Sequence, residues 1–134
     1  MNKLFDSIAP FTSLVGRVLI AAIFVVSGFS KLGGYSATQA YMQSAGIPGS
    51  LLPLVILIEL GGGIAIIAGF YTRLVALLLA GFCILTGLLI HAGSPDQVQQ
   101  IMFMKNLGLA GGFLFLVASG AGRLSVDAFM QRNR

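Results

Sequence analysis

The chain has 134 residues, 57% hydrophobic and 9% charged, with a formal net charge of +4 and a mean hydropathy of +0.95. A soluble domain is roughly a quarter charged, so eight basic and four acidic side chains argue against a water-soluble enzyme, a disordered chain or a nucleic-acid binder. One cysteine and one histidine exclude an internal disulfide framework, multi-cysteine metal or iron–sulfur sites and bis-histidine haem ligation within one chain. What remains is an all-α, polytopic membrane protein.

A hydrocarbon core about 30 Å thick takes about 20 apolar residues at 1.5 Å each. Four segments qualify, at about 13–32, 51–70, 73–91 and 98–119, and predict a four-transmembrane-helix bundle in a single domain, with a tail over 120–134. Lys3 and Arg17 before the first apolar run also suit a signal peptide. No small-x-small cleavage site comes after it, however, and Lys31 sits where one should be.

After this span, Ser36-Ala-Thr-Gln39 forms a capping-box pattern, and Gly46 and Pro48 mark a helix stop about ten residues later. Ala37, Ala40, Tyr41, Ser44 and Ala45 share one face, which predicts a short interfacial helix over about 36–45. The second span is interrupted by Glu59, and the third carries no charge from Leu74 to Ile90. Gly69-Phe-Tyr-Thr-Arg73 between them reads as a tight hairpin. Ser94-Pro95-Asp96-Gln97 repeats the capping signal and predicts a fourth helix from near Pro95, with proline at its first position.

Four spans put both termini on one side. That side carries Lys3, Arg17, Arg73, Arg123, Arg132 and Arg134, against Lys31 and Lys105 opposite. The asymmetry predicts cytoplasmic termini, with Arg17 and Arg73 as topology anchors at the inner interface.

Each span also carries a stripe of small or polar residues at helical spacing. The stripes are Arg17, Ala21, Phe24, Gly28 and Lys31; Val55, Glu59, Gly62, Gly63 and Ile66; Arg73, Ala76, Ala80, Cys83, Gly87 and His91; and Lys105, Gly108 and Gly112. In lipid such stripes mark where helices approach closely, so most of these glycines read as bundle seam.

The ionisable residues on the stripes demand more. A carboxylate near mid-span costs at least about 2.5–3.5 kcal/mol, and Glu59 lies eight positions after Leu51, roughly 12 Å deep. It must be protonated, paired or in a wet cavity. One reading has Glu59, Lys105, His91 and Lys31 lining a single pocket that opens outward, with Asn106 and Cys83 in the same half. The other has Glu59 and Lys105 as a structural ion pair that fixes helix register. Cys83 also reads as a small apolar filler, and His91 as an interfacial side chain.

At these residues the sequence resembles the DoxX family, in its YqjF-like inner-membrane branch. The resemblance runs through Arg17 and the apolar run to Ser27-Gly-Phe-Ser-Lys31-Leu, then Tyr41-Met and Gly46-Ile-Pro48. It continues through Leu51 to Glu59-Leu-Gly-Gly-Gly63, Gly69 to Arg73, and Met102-Phe-Met-Lys105-Asn106-Leu. It implies a bacterial inner-membrane protein of loosely defined biochemistry, with links in some members to quinone-dependent oxidoreductase complexes and in others to thiol or oxidative stress.

The chain lacks haem, iron–sulfur and Rossmann signatures, so electron transfer would need a quinone or a redox-enzyme partner. Glu59 as proton carrier, with Lys105 or His91 donating to a carbonyl, suits a quinone headgroup. The other readings are a non-enzymatic anchor or assembly factor for a redox enzyme, and a small proton-coupled transporter. Four helices give the transporter too small a pathway unless the chain forms a homo-oligomer.

Overall fold

The computed structural model describes residues 1–133; Arg134, counted above among the basic residues, lies outside them. Four helices are long and apolar enough to cross a membrane: Asn2–Gly33, Gly49–Ala68, Thr72–His91 and Gln97–Ser119, here spans one to four. A short helix, Tyr35–Ser44, joins spans one and two, and another, Val126–Arg132, comes after span four. The bundle is all-helical, without strands among the described residues.

Span one starts at Asn2 rather than near Ser13. Hydropathy stops at Pro10, Asp6 and Lys3, whereas the backbone needs no apolar side chains to continue as helix. Its 32 residues measure about 48 Å, well beyond the hydrocarbon thickness.

The connecting helix departs from expectation twice. Its first residue comes directly after Gly34, and Thr38 Oγ1 donates to the Gly34 carbonyl at 2.8 Å. Ser36 is therefore already inside the helix and caps nothing. Its inward face is Tyr35, Thr38, Gln39 and Met42, while Ala37, Ala40, Tyr41, Ser44 and Ala45 are exposed. Met42 clusters with Leu52 and Ile56 at the start of span two, and a bulky thioether buries more apolar area there than the alanines would. Span four likewise begins two residues late. Asp96, not Ser94, caps it by accepting from the Val98 amide at 3.1 Å, and Ser94 Oγ accepts from the Asp96 amide at 3.2 Å.

The bundle consists of two helix pairs. Spans one and two pack along much of their length, and so do spans three and four. Gly28 makes the first pairing possible, since a Cβ there would lie 2.9 Å from the Leu60 backbone nitrogen. The pairs meet in the half nearer the termini, around Ala21, Phe24, Ile66, Ala76, Leu79 and Phe113. Phe24 and Phe113 form an edge-to-face contact there, ring centroids 5.4 Å apart. In span four the buried line is Asn106, Ala110 and Phe113, rotated from the predicted stripe. Gly108 faces open space.

The terminal side is closed by a polar knot. Arg17, 1% exposed, donates from Nη1 to the Ile66 and Ile67 carbonyls at 3.2 and 2.8 Å, and from Nη2 to the Leu124 carbonyl. It thus covers the carbonyl end of span two, where a cation also meets the negative end of the helix dipole. The expected interfacial anchor is a buried cap: its two terminal nitrogens serve three carbonyls, while Nε is left without a partner among the described residues. Arg73 is exposed at the turn. Asp127 closes the hairpin from the other side: its carboxylate accepts from the Tyr71 and Thr72 amides at 2.7 and 2.9 Å, and its own amide donates to the Gly69 carbonyl. Gly69 sits at φ +73, where a Cβ would lie 2.4 Å from Ser125 Cβ. No other residue fits this corner.

Candidate functional site

Away from the termini the two pairs diverge. The half of span two between Gly49 and Gly61 makes no extended contact with span three or four. Between them lies a cleft of about 410 Å³, lined by Glu59, Lys31, Lys105, Asn106, His91 and Cys83 among predominantly apolar residues. All six candidates read from the sequence thus border one space, within the usual range of about 300–1,000 Å³ for ligand pockets.

Both spans that face each other across the cleft change helical geometry there. Residues Leu57–Gly61 and Gly87–His91 form π turns, and the Ala92 amide donates to the Gly87 carbonyl five residues back at 2.8 Å. Such turns are rare and recur at functional sites. Glu59 is central in one, and His91 ends the other.

Glu59 is 6% exposed and paired with Lys31, whose Nζ lies 2.9 and 3.0 Å from its two carboxylate oxygens. Lys31 also donates to Ser27 Oγ at 2.6 Å. The expected Glu59–Lys105 pair is replaced by one within the first helix pair. The reason is the Gly28–Leu60 contact: where two backbones touch, the residues one turn along on span one and one position back on span two are brought together. That signal is present in the sequence, since Lys31 shares its stripe with Gly28.

Lys105 stands on the opposite wall. It is half-buried, lines the cleft, and makes no hydrogen bond or ion pair among the described residues. Its neighbour Asn106 is a strut between spans four and three. Asn106 Nδ2 donates to the Cys83 carbonyl and to Thr86 Oγ1, each at 3.1 Å, so both amide hydrogens are engaged and only its oxygen is left for a ligand. Thr86 passes its own proton to the Phe82 carbonyl at 2.9 Å. Thr86 and Ser27, which the sequence places in the same outer half as Asn106, are the side-chain partners of Asn106 and Lys31.

His91 Nδ1 is 2.5 Å from Gln99 Oε1, which turns the imidazole toward span four. Cys83 is buried at 2% exposure in the apolar core below the cleft. The polar groups therefore form two walls: a neutralised Lys31–Glu59 pair on one, and an uncompensated ammonium with an amide strut on the other.

Comparison with known proteins bears on the family. A family model described as DoxX matches residues 12–92. The chain is 48% identical over 119 residues to inner membrane protein YqjF of Escherichia coli, covering 89% of this chain and 92% of that protein. It is 33% identical over 130 residues to inner membrane protein YphA of the same organism, covering 92% and 93%. A putative oxidoreductase, CatD of Bacillus subtilis, is 36% identical over 80 residues, covering 60% of this chain and 57% of that protein. No solved structure matches significantly. Four apolar spans, relatives that carry the inner membrane in their names and the matching family model lead to one statement: this multi-pass inner-membrane protein belongs to the DoxX family, in its YqjF-like branch.

Proposed function

We infer that the chain is the membrane-embedded, quinone-binding component of an oxidoreductase system, with both termini cytoplasmic and the cleft open toward the outer side. The observation that carries the reading is the convergence of Glu59, Lys31 and Lys105 on one apolar cleft. The relative named a putative oxidoreductase supports the redox association. The five described basic residues on the terminal side, against Lys31 and Lys105 opposite, support the orientation.

The residues fit such a headgroup. A bound quinone would supply two-electron chemistry coupled to protonation of its carbonyl oxygens. Lys105 is a donor without a partner among the described residues, placed to bind a carbonyl oxygen. Glu59 is a carboxylate able to hold a proton once its pairing with Lys31 loosens, and Ser27 keeps Lys31 in place when it does. The apolar walls exclude water and bind the ring.

Titration of the purified protein with a quinone analogue tests the reading. Glu59→Gln and Lys105→Gln are each expected to weaken binding about tenfold or more, the worth of a charged hydrogen bond in a dry site. Binding indifferent to both variants would overturn it, and stable co-purification of a soluble enzyme without quinone binding would favour the assembly-factor reading. Labelling of Ser94→Cys and Gln131→Cys from the two sides of the membrane, in a Cys83→Ala background, checks the orientation.

A further inference from the structure

The charges around the cleft do not cancel. Lys31 and Glu59 neutralise each other at 2.9 Å, which leaves the Lys105 ammonium as a net positive charge facing an apolar cavity. A lone cation at this depth is costly, and a complementary anion relieves that cost. The cavity also has a side opening. Leu54 of span two and Leu85 and Leu89 of span three line it, yet are 52%, 55% and 54% exposed. These leucines form a hydrocarbon-level gap between the two helix pairs, through which an alkyl tail would enter from the lipid leaflet.

We propose that the cleft selects lipophilic molecules by head charge and takes an amphiphile with an acidic head. The anionic head sits on Lys105 and the tail passes between Leu54 and Leu85. The Asn106 amide group accepts no donor from the chain through its oxygen among the described residues, and it receives a hydroxyl of the head where one is present. Lys31 does not compete, because Glu59 and Ser27 hold it. The inference shares with the quinone reading only the premise that the cleft holds a lipophilic ligand. Each fails separately: quinone analogues need not bind for the charge ranking to hold, and they can bind without it.

Binding of hexadecanoate, hexadecanol and hexadecyltrimethylammonium to the full chain in zwitterionic nanodiscs, corrected for empty nanodiscs, tests the proposal. The carboxylate is expected to bind about tenfold more tightly than the alcohol, and the ammonium most weakly, as a charge-assisted hydrogen bond dictates. Lys105→Gln should bring carboxylate and alcohol together, Lys105→Arg should keep them apart, and Arg73→Gln, which removes an equal charge from the terminal side, should change nothing. Equal binding of acid and alcohol by the unmodified chain overturns the proposal without any variant. So does a preference that survives Lys105→Gln. A final arm adds phosphatidylglycerol to the nanodiscs. Displacement of hexadecanoate identifies a phospholipid of the bilayer as the source of the acidic head, and no displacement identifies a single-chain acid.

Discussion

On the terminal side of the bundle Arg17 and Asp127 serve the backbone; on the far side the buried and half-buried charges serve each other and the cleft. Arg17 and Asp127 spend their hydrogen bonds on carbonyls and amides at the ends of span two and the start of span three, and the two helix pairs close. Glu59, Lys31 and Lys105 touch no backbone acceptor or donor in the same way, and the pairs part. A charge that caps a helix end is consumed by the fold. A charge that meets a single partner, or none, is still available to a ligand.

The largest effects on stability are expected from the closed half. Arg17→Met leaves the Ile66, Ile67 and Leu124 carbonyls without their donor and is expected to cost about 3 kcal/mol or more, read as unfolding of the detergent-solubilised protein. Arg17→Lys should recover only part, since an ammonium cannot span the three acceptors as a guanidinium does. A variant that folds as well as the original would break the comparison at its strongest point.

Next in size is Gly28→Ala, which drives a methyl against the Leu60 backbone. An overpacking cost of about 1–3 kcal/mol is expected, together with looser Glu59–Lys31 pairing. A double-mutant cycle with Lys31→Met and Glu59→Gln should show coupling of about 1–3 kcal/mol. Coupling near zero would mean that the pair is solvated and that the far half is wetter than its burial implies.

A smaller effect is expected at Asp127. Burial pushes its carboxyl up, but the Thr72 and Tyr71 hydrogen bonds and the Arg17 charge outweigh this and hold it below its ordinary range. The folded-state value is the lower one, so the carboxylate adds stability above the unfolded value and loses it as pH falls through the folded value. Asp127→Ala should cost about 1 kcal/mol, as for a lost helix cap. It should also flatten the dependence of stability on pH below about pH 4. The smallest effect is expected from Gly108→Ala. Nothing lies within 4 Å of a Cβ there, so only alanine's better helix propensity counts, and stability, read by thermal unfolding, should rise by about 0.5–1 kcal/mol.

Much of the far half is legible in the sequence, because a carboxylate and two lysines stand out in apolar spans whatever their partners. The span-one stripe from Arg17 to Gly28 is the buried line of that helix. Pairing is harder to read. Depth alone favours Lys105 for Glu59, whereas the choice depends on which backbones touch, and Gly28 decides that. The closed half is less legible still. Arg17 near a span end looks the same whether it snorkels to headgroups or caps a neighbouring helix, and Asp127 lies in a tail with no local pattern to announce its target. The connecting helix buries a different face from the one its small residues suggest, since burial tracks the larger Met42 and Tyr35.

The two π turns have a consequence of another kind. A π turn closes its hydrogen bond over one residue more than an α turn, so the one inside span two acts as a phase shifter within a continuous rod. Above it, the helix face presented to the centre is set independently of the face below. Span two carries one in mid-span at Leu57–Gly61, beside the cleft, whereas in span three the other, Gly87–His91, is the last turn of the helix. Substitutions that retune the cleft therefore need not rotate the seam that closes the other end, and one half of this small chain is free to diverge while the other stays fixed.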